Sequence, residues 1–336
     1  MGQKGSPVQI SAIERYISDY YLNIYKPEPS KKSKGKIALI GSGPAGITIA
    51  FELSKRDYDI TIFESNDQIG GVLRYGMPEF RLPKTILDRL MDTLIASGVK
   101  IRPNTTIGTN LNVDDLFRDG YKAIFLGTGV WRPSKLNIKG ESLGNVHYAI
   151  EYLRNPSVYR LGKRVAVIGA GNVAMDVART TFHHGSEEVT IICNSDEASV
   201  TAREIELEYA KIDGAKMIFN KSAVEFTDEG VILADSHIPE GSNVVVPVEG
   251  TESLFPVDSC IIAIGQGPRA VIVSSTTGIN VTRKGLVETD DFGKTSRKGV
   301  FASGDVVTGA KTVVEAVRVS RRVADMMDEY VQSCNA

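Results

Sequence analysis

Runs of apolar positions change character along the chain in a repeating order. After the basic, Pro/Ser-rich stretch "KPEPSKKSKGK", the apolar run "KIALI" stops at the glycine turn "GSGPAG". Apolar positions then recur at helical spacing in "ITIAFELSKR", and "DITIFE" returns to a short continuous apolar run. Short apolar runs bounded by glycine read as strands buried on both faces of a parallel sheet. The order recurs as "RVAVI", "GAGNVA", "MDVARTTFHHG" and "EVTIIC". Each copy later closes on an apolar strand and a glycine turn, "AIFLGTGVWRP" in the first and "CIIAIGQGPR" in the second, so the units from Gly41 to Gly127 and from Gly169 to Gly265 are of similar length. Two copies of strand, glycine turn, helix and strand predict an α/β chain with two Rossmann-like dinucleotide-binding domains.

The first 35 residues follow a different pattern. Ser11 and Glu14 stand in capping-box spacing, and Ile10, Ile13, Ile17, Tyr20 and Tyr21 form a stripe at helical intervals. An amphipathic helix is expected there, docked on the chain's own body, with a partner surface as the alternative.

Composition narrows the class. The 336 residues allow two domains, and 39 basic against 41 acidic residues give a formal charge of −2, with no general attraction for nucleic acid or anionic lipid. Cys193, Cys260 and Cys334 are too few and too widely spaced for a disulfide framework, a zinc site or an iron-sulfur cluster. A reducing cytoplasm is the expected home, and the most apolar stretch, "IALIGSGPAGITIAFEL", is broken by glycines and Glu52, so no membrane insertion is expected.

The glycine turns carry the candidate chemistry. Gly41 or Gly169 permits the tight turn out of the strand, and Gly43 or Gly171 lets a pyrophosphate approach the backbone. Gly46 or Ala174 allows close packing of helix on strand, and the helix N-terminus offers amides and a partial positive charge to phosphates. In the first copy the second strand ends at Glu64, about twenty residues on, where a carboxylate accepts from both hydroxyls of an unphosphorylated ribose, as in FAD or NAD. Gly70 and Gly71 in "QIGGVLRYGMPEFRLP" would let backbone approach the same ligand. Near the end, "GVFASGDVVTGAKTVVEAV" runs from a strand into Gly304 and Asp305, then into a helix starting near Thr312. An acid there suits a polyol chain, and a helix N-terminus suits the edge of a flavin that gains negative charge on reduction.

"GSGPAG", "IGGVLRYGMPEFRLPK", "GTG", "IGAGNVAMD", "AIGQGP" and "GVFASGDVVTGAKTVVEAV", in this order, resemble the small (β) subunit of glutamate synthase and related FAD- and pyridine-nucleotide-binding subunits. The resemblance covers residues 7 to about 330. It implies a thioredoxin-reductase-like fold with the NAD(P) domain inserted into the FAD domain. The expected divisions are an N-terminal helix and linker over 1–35, FAD domain over 36–150 and 265–336, and NAD(P) domain over 151–264. It places Gly41, Gly43, Pro44, Ala45, Gly46, Glu64, Gly71, Leu73, Arg74, Gly129, Gly304, Asp305, Thr312 and Val313 on FAD-binding motif positions. Gly169, Gly171, Asn172 and Asp176 fall on the pyridine-nucleotide motif.

Two departures shape the functional expectation. The resemblance implies N-terminal cysteines that hold iron-sulfur clusters, whereas the first cysteine here is Cys193, and no CxxC is present. Electrons on a bound flavin would therefore leave to an iron-sulfur or flavin partner subunit. The second departure is at the tip of "TIIC": members of the resembled family that use NADPH carry two consecutive arginines where Asn194 and Ser195 stand, followed by Asp196 and Glu197. Burying a 2′-phosphate without a cation costs several kcal/mol. The stretch favours NAD(H) over NADP(H), with Arg203 in "TARE" as the counterweight. The expected function is an FAD-dependent NAD(P)H oxidoreductase subunit that needs neither a catalytic acid or base nor a metal, since hydride transfer rests on alignment. The alternatives are a stand-alone diaphorase or ferredoxin-type reductase, and a non-catalytic FAD-binding subunit with a decayed nucleotide site.

Overall fold

A computed structural model describes residues 8–242 and 244–335. Residues 1–7 lie outside the described residues.

Two five-stranded parallel sheets form the framework. The first runs, in spatial order, Val300–Ala302, Tyr121–Leu126, Lys36–Ile40, Asp59–Phe63 and Lys100–Arg102. The second runs Val146–Tyr148, Ser259–Ile262, Arg164–Ile168, Glu188–Ile192 and Lys216–Ile218. In both, the strand preceding the glycine turn sits between its partner from the same repeat and the closing strand, so the sequence repeat is a repeat of register and order. Lys36–Ile40 and Arg164–Ile168 bury every residue after the first, because helices or other strands cover both faces of each sheet.

The chain leaves the first sheet through Arg132–Pro133 and returns through Gln266–Gly267, and these two short strands pair antiparallel. The second sheet is thus set into the first unit, whose last strand, Val300–Ala302, comes after it. Helix Val313–Asn335 then packs on helix Pro44–Ser54 through Val323, Ala324, Met327 and Val331 against the first core. The expected division at 150/151 falls inside helix Ala149–Arg154, after Val146–Tyr148 has already joined the second sheet.

Two features depart from the sequence reading. Strands Lys221–Thr227, Gly230–His237 and Ser253–Pro256 form an antiparallel sheet. It packs Phe226, Val231 and Leu233 against Ala166, Ile168 and Cys260 of the second sheet, where the first unit has only helix Val113–Arg118 before its closing strand. The N-terminal helix does form, over Ile10–Ile24, but Gln9 occupies the cap position without a side-chain bond, so Ser11 lies inside the first turn rather than capping it. Nor does its stripe dock on the chain's own body: Ile10, Ile13, Ile17, Tyr20, Tyr21 and Ile24 are all more than half exposed. An amphipathic pattern reports a face that wants cover, not what supplies it.

Candidate functional site

The first glycine turn is built by close backbone approach. Gly41 has φ +97°, and a Cβ there would lie 2.5 Å from the carbonyl oxygen of Gly127. A Cβ on Gly46 would lie 2.1 Å from the Gly41 carbonyl oxygen, so the helix sits against the turn with no room for alanine. Gly71, at φ +52°, brings the loop after the second strand so near that its Cβ would stand 2.7 Å from Gly43 Cα. Gly304 arrives from the far end of the chain against Ala45.

These segments enclose an open cleft of about 1330 Å³, counting its mouth. Gly41, Gly43, Pro44, Ala45, Glu64, Gly71, Gly129, Gly304, Asp305, Thr312 and Val313 line it, as the sequence assigns. Three assigned residues do not. Gly46 packs behind the turn. Leu73 lies in the short helix Val72–Tyr75 and gives its carbonyl to Lys84 Nζ at 2.8 Å. Arg74 turns away from the cleft, donating to the Ile69 carbonyl at 2.8 Å and pairing with Asp88.

Glu64 is 4 % exposed at the tip of its strand. One carboxylate oxygen accepts from the Ser42 N–H at 3.0 Å and from the Ser42 hydroxyl. The other accepts from the Asn66 N–H and side-chain amide, both at 2.8 Å. The carboxylate is therefore held in place in the wall of the cleft by the chain's own donors. Asp305 lines the same cleft, and burial pushes its carboxyl above the usual range while a bond from the Lys311 N–H, at 3.2 Å, works against that. Thr312 Oγ1 accepts from the Glu315 N–H at 3.2 Å and caps helix Val313–Asn335, whose first turn lines the cleft through Val313 and Ala316.

The sequence reading missed several lining residues: Thr105, Thr106, Trp131, Arg154, Gln266, Arg269 and Lys311. Arg154 comes from helix Ala149–Arg154, beside the second sheet, and donates to Asn66 Oδ1 at 2.6 Å. No local motif announces it, because its partner lies 88 positions away. The cleft's acceptor pair at one end, its close-packed glycine floor and its helix N-terminus fit an elongated dinucleotide with a phosphate centre.

At the second turn, a Cβ on Gly169 would meet the Ala263 carbonyl oxygen at 2.4 Å, while one on Gly171 would meet only Thr201 Oγ1, at 3.7 Å. Asn172 opens helix Asn172–His183, and its Oδ1 accepts from the Arg203 N–H at 2.9 Å. The 200–203 segment is drawn onto the turn by a further bond, Ala202 N–H to the Ala170 carbonyl at 3.0 Å. Gly171, Asn172 and Arg203 are thus brought together. Asn194 and Ser195 follow the Glu188–Ile192 strand, tied by their backbone carbonyls to Ser236 Oγ at 2.7 Å and the Asn220 N–H at 3.1 Å. Neither side chain makes a hydrogen bond among the described residues, and the Arg203 guanidinium forms no ion pair there. Asp176 is placed differently from the turn residues: it is 4 % exposed and its carboxylate grips Arg81. Burial raises its carboxyl and the Arg81 guanidinium opposes the rise.

Two dinucleotide-type α/β units, one set into the other, define the fold of two-nucleotide oxidoreductases. The chain belongs to the pyridine nucleotide-disulphide oxidoreductase family, whose model matches residues 35–320. It is 34 % identical to the NADP(+)-dependent formate dehydrogenase subunit beta of Moorella thermoacetica, over 98 % of this chain and 52 % of that protein. It is 31 % identical to the glutamate synthase [NADPH] small chain of Halomonas elongata, over 96 % of this chain and 74 % of the other. The chain thus spans about half the length of the first of these relatives and about three quarters of the second. Among solved structures, Mycobacterium tuberculosis FprA in complex with NADPH superposes with a TM-score of 0.75 at 18 % identity, over 90 % of this chain and 85 % of that one. The resemblance to glutamate synthase small subunits therefore holds across nearly the whole chain, and the fold agrees.

Proposed function

We propose that the chain is an FAD-dependent NAD(P)H oxidoreductase subunit that exchanges electrons with an iron-sulfur or flavin partner. The observation that carries this reading is the first cleft, which is lined by the fixed Glu64 carboxylate, the glycine turn and the Thr312-capped helix together. Bound there, FAD would supply hydride exchange with a nicotinamide and single-electron exchange with the partner. The chain's own part is binding and alignment. Glu64 presents acceptor lone pairs to the ribose, the Gly41–Gly46 turn admits the pyrophosphate, Asp305 meets the polyol, and the capped helix N-terminus favours charge on the ring edge.

The Gly169–Ala174 turn is read as the nicotinamide-nucleotide site, and NADH as its preferred ligand. Asn194 and Ser195 offer an amide and a hydroxyl to a plain ribose, and Asp196 beside them carries the charge that repels a phosphate. A specific observation favours the second reading, NADPH: the Arg203 backbone is fixed to Asn172, so its guanidinium, without an ion pair among the described residues, starts from the rim of the turn. The two relatives named above also carry NADP(+) or NADPH in their names.

The test of the cofactor assignment is uptake. Mixed with FAD and desalted, the purified chain is expected to stay yellow with one flavin per chain. A colourless product sinks the reading.

A further inference from the structure

Away from both glycine turns, the loop between Met77 and Lys84 crosses from the first unit to the second. The Phe80 ring stacks on His183 with centroids 4.7 Å apart, and the Arg179 guanidinium lies 4.5 Å from the same ring's centroid. Arg81 bonds both carboxylate oxygens of Asp176 through Nη1, at 2.7 and 2.6 Å, and reaches Glu206 through Nη2 at 2.7 Å. The three side chains are 22 %, 6 % and 11 % exposed. Asp176, Arg179 and His183 share helix Asn172–His183, which opens at the second glycine turn, and Glu206 lies on helix Glu204–Ile212, directly after Arg203. The loop's base is equally fixed. Lys84 Nζ donates to the carbonyls of Leu73 and Met77, and its N–H donates to Glu79 Oε1. That ties the loop to helix Val72–Tyr75, whose cap, Gly71, touches the first turn.

A rigid path therefore leads from the floor of the first cleft, through Arg81, to the helix behind the second turn. We propose that Arg81 is a positioning residue: by holding Asp176 and Glu206 it sets the angle at which the nucleotide-binding helix faces the flavin cleft. One guanidinium bonds two nearly buried carboxylates, while the neighbouring cation, Arg179, is paired with Asp213 at 2.7 Å. Hydride transfer depends steeply on approach distance and alignment, so a small change of angle affects the rate more than binding. The proposal rests on the function read above.

The test compares Arg81→Gln, Arg81→Lys and the double variant Arg81→Gln/Asp176→Asn, which removes the Asp176 charge together with its cation and so avoids leaving that carboxylate unpaired. In the FAD-loaded full chain, the limiting rate of anaerobic flavin reduction is expected to fall about tenfold or more in both Gln variants. FAD content and nucleotide dissociation constant should stay within about twofold to threefold, and Arg81→Lys should recover part of the rate. Hydrogen exchange in loop 78–83 and in helix Glu204–Ile212 should quicken, with the first sheet unchanged. A limiting rate within twofold of the parent in the folded double variant, or exchange unaltered in both segments, overturns the proposal. A parent chain that neither nucleotide reduces defeats the functional reading instead, and the exchange measurement still decides whether Arg81 holds the two units together.

Discussion

The backbone N–H of Ser42, inside the first glycine turn, donates to the Glu64 carboxylate at 3.0 Å, and so joins the turn to the tip of the next strand. The acid we propose to face a ribose also holds together the loop we propose to face a pyrophosphate. Glu64→Ala removes the acceptor for Ser42 and Asn66 as well as for the ligand, and a buried donor left unpaired costs about 1–3 kcal/mol. FAD affinity, measured by quenching of flavin fluorescence, is expected to fall about tenfold or more, with Glu64→Gln intermediate. Equal affinity in all three proteins would contradict the assignment.

Gly46 and Ala174 occupy the same place in the two repeats, yet a Cβ on Gly46 meets a carbonyl oxygen at 2.1 Å while Ala174 carries its own, fully buried. Gly46→Ala must shift the helix off the turn, and a loss of about 2 kcal/mol or more is expected in denaturant unfolding, with reduced FAD content. Gly171→Ala is the contrasting case. Its Cβ has room and its φ of −93° suits alanine, so stability should stay within about 0.5 kcal/mol. The methyl would stand where a pyrophosphate approaches, so the nucleotide KM should rise about tenfold with FAD retained.

The cysteines give a pH prediction. Burial pushes the Cys193 thiol up to about 11 and the Cys260 thiol to about 12, while Cys334 is exposed. At pH 8 a thiol reagent should titrate one cysteine in the native protein and three after denaturation. Both shifts are upward from an ordinary value of 9.0, so above that pH the unfolded chain loses protons that the folded chain keeps. Stability therefore falls as pH rises from about 9 towards 11 or 12. A denaturation midpoint that rose across that range would contradict the burial of these thiols.

At the tip of the Glu188–Ile192 strand, introducing two cations should reverse the nucleotide preference. Asn194→Arg with Ser195→Arg is expected to improve kcat/KM for NADPH relative to NADH by about tenfold or more, because each charge-assisted bond to a phosphate adds about 1.5–3 kcal/mol. Both side chains stand without hydrogen-bond partners among the described residues, so the substitution disturbs little. Arg203→Ala should leave the use of NADH unchanged, and a selective loss with NADPH would show that Arg203 reads a phosphate.

Much of this architecture is legible in the sequence for a local reason. A strand, a glycine turn and a helix are written within about twenty residues, and the physics of the turn dictates its glycines. Glu64 was legible by the same rule, since the length of the intervening helix fixes its distance from the turn. The pairing of Arg81 with Asp176 is not, because their 95-residue separation leaves no periodicity to read, and the resemblance assigns Asp176 to the nucleotide motif without naming a partner for it. Arg154, which reaches the first cleft from beside the second sheet, is hidden for the same reason. The exposed face of Ile10–Ile24 shows the converse limit: the pattern named the face correctly and its cover wrongly.

The most direct test of the central claim is anaerobic mixing of the FAD-loaded chain with NADH and, separately, with NADPH, following the yellow absorbance. The account predicts that a nicotinamide nucleotide bleaches the flavin, and that NADH does so at the higher second-order rate. A flavin that stays oxidised with both nucleotides would contradict it.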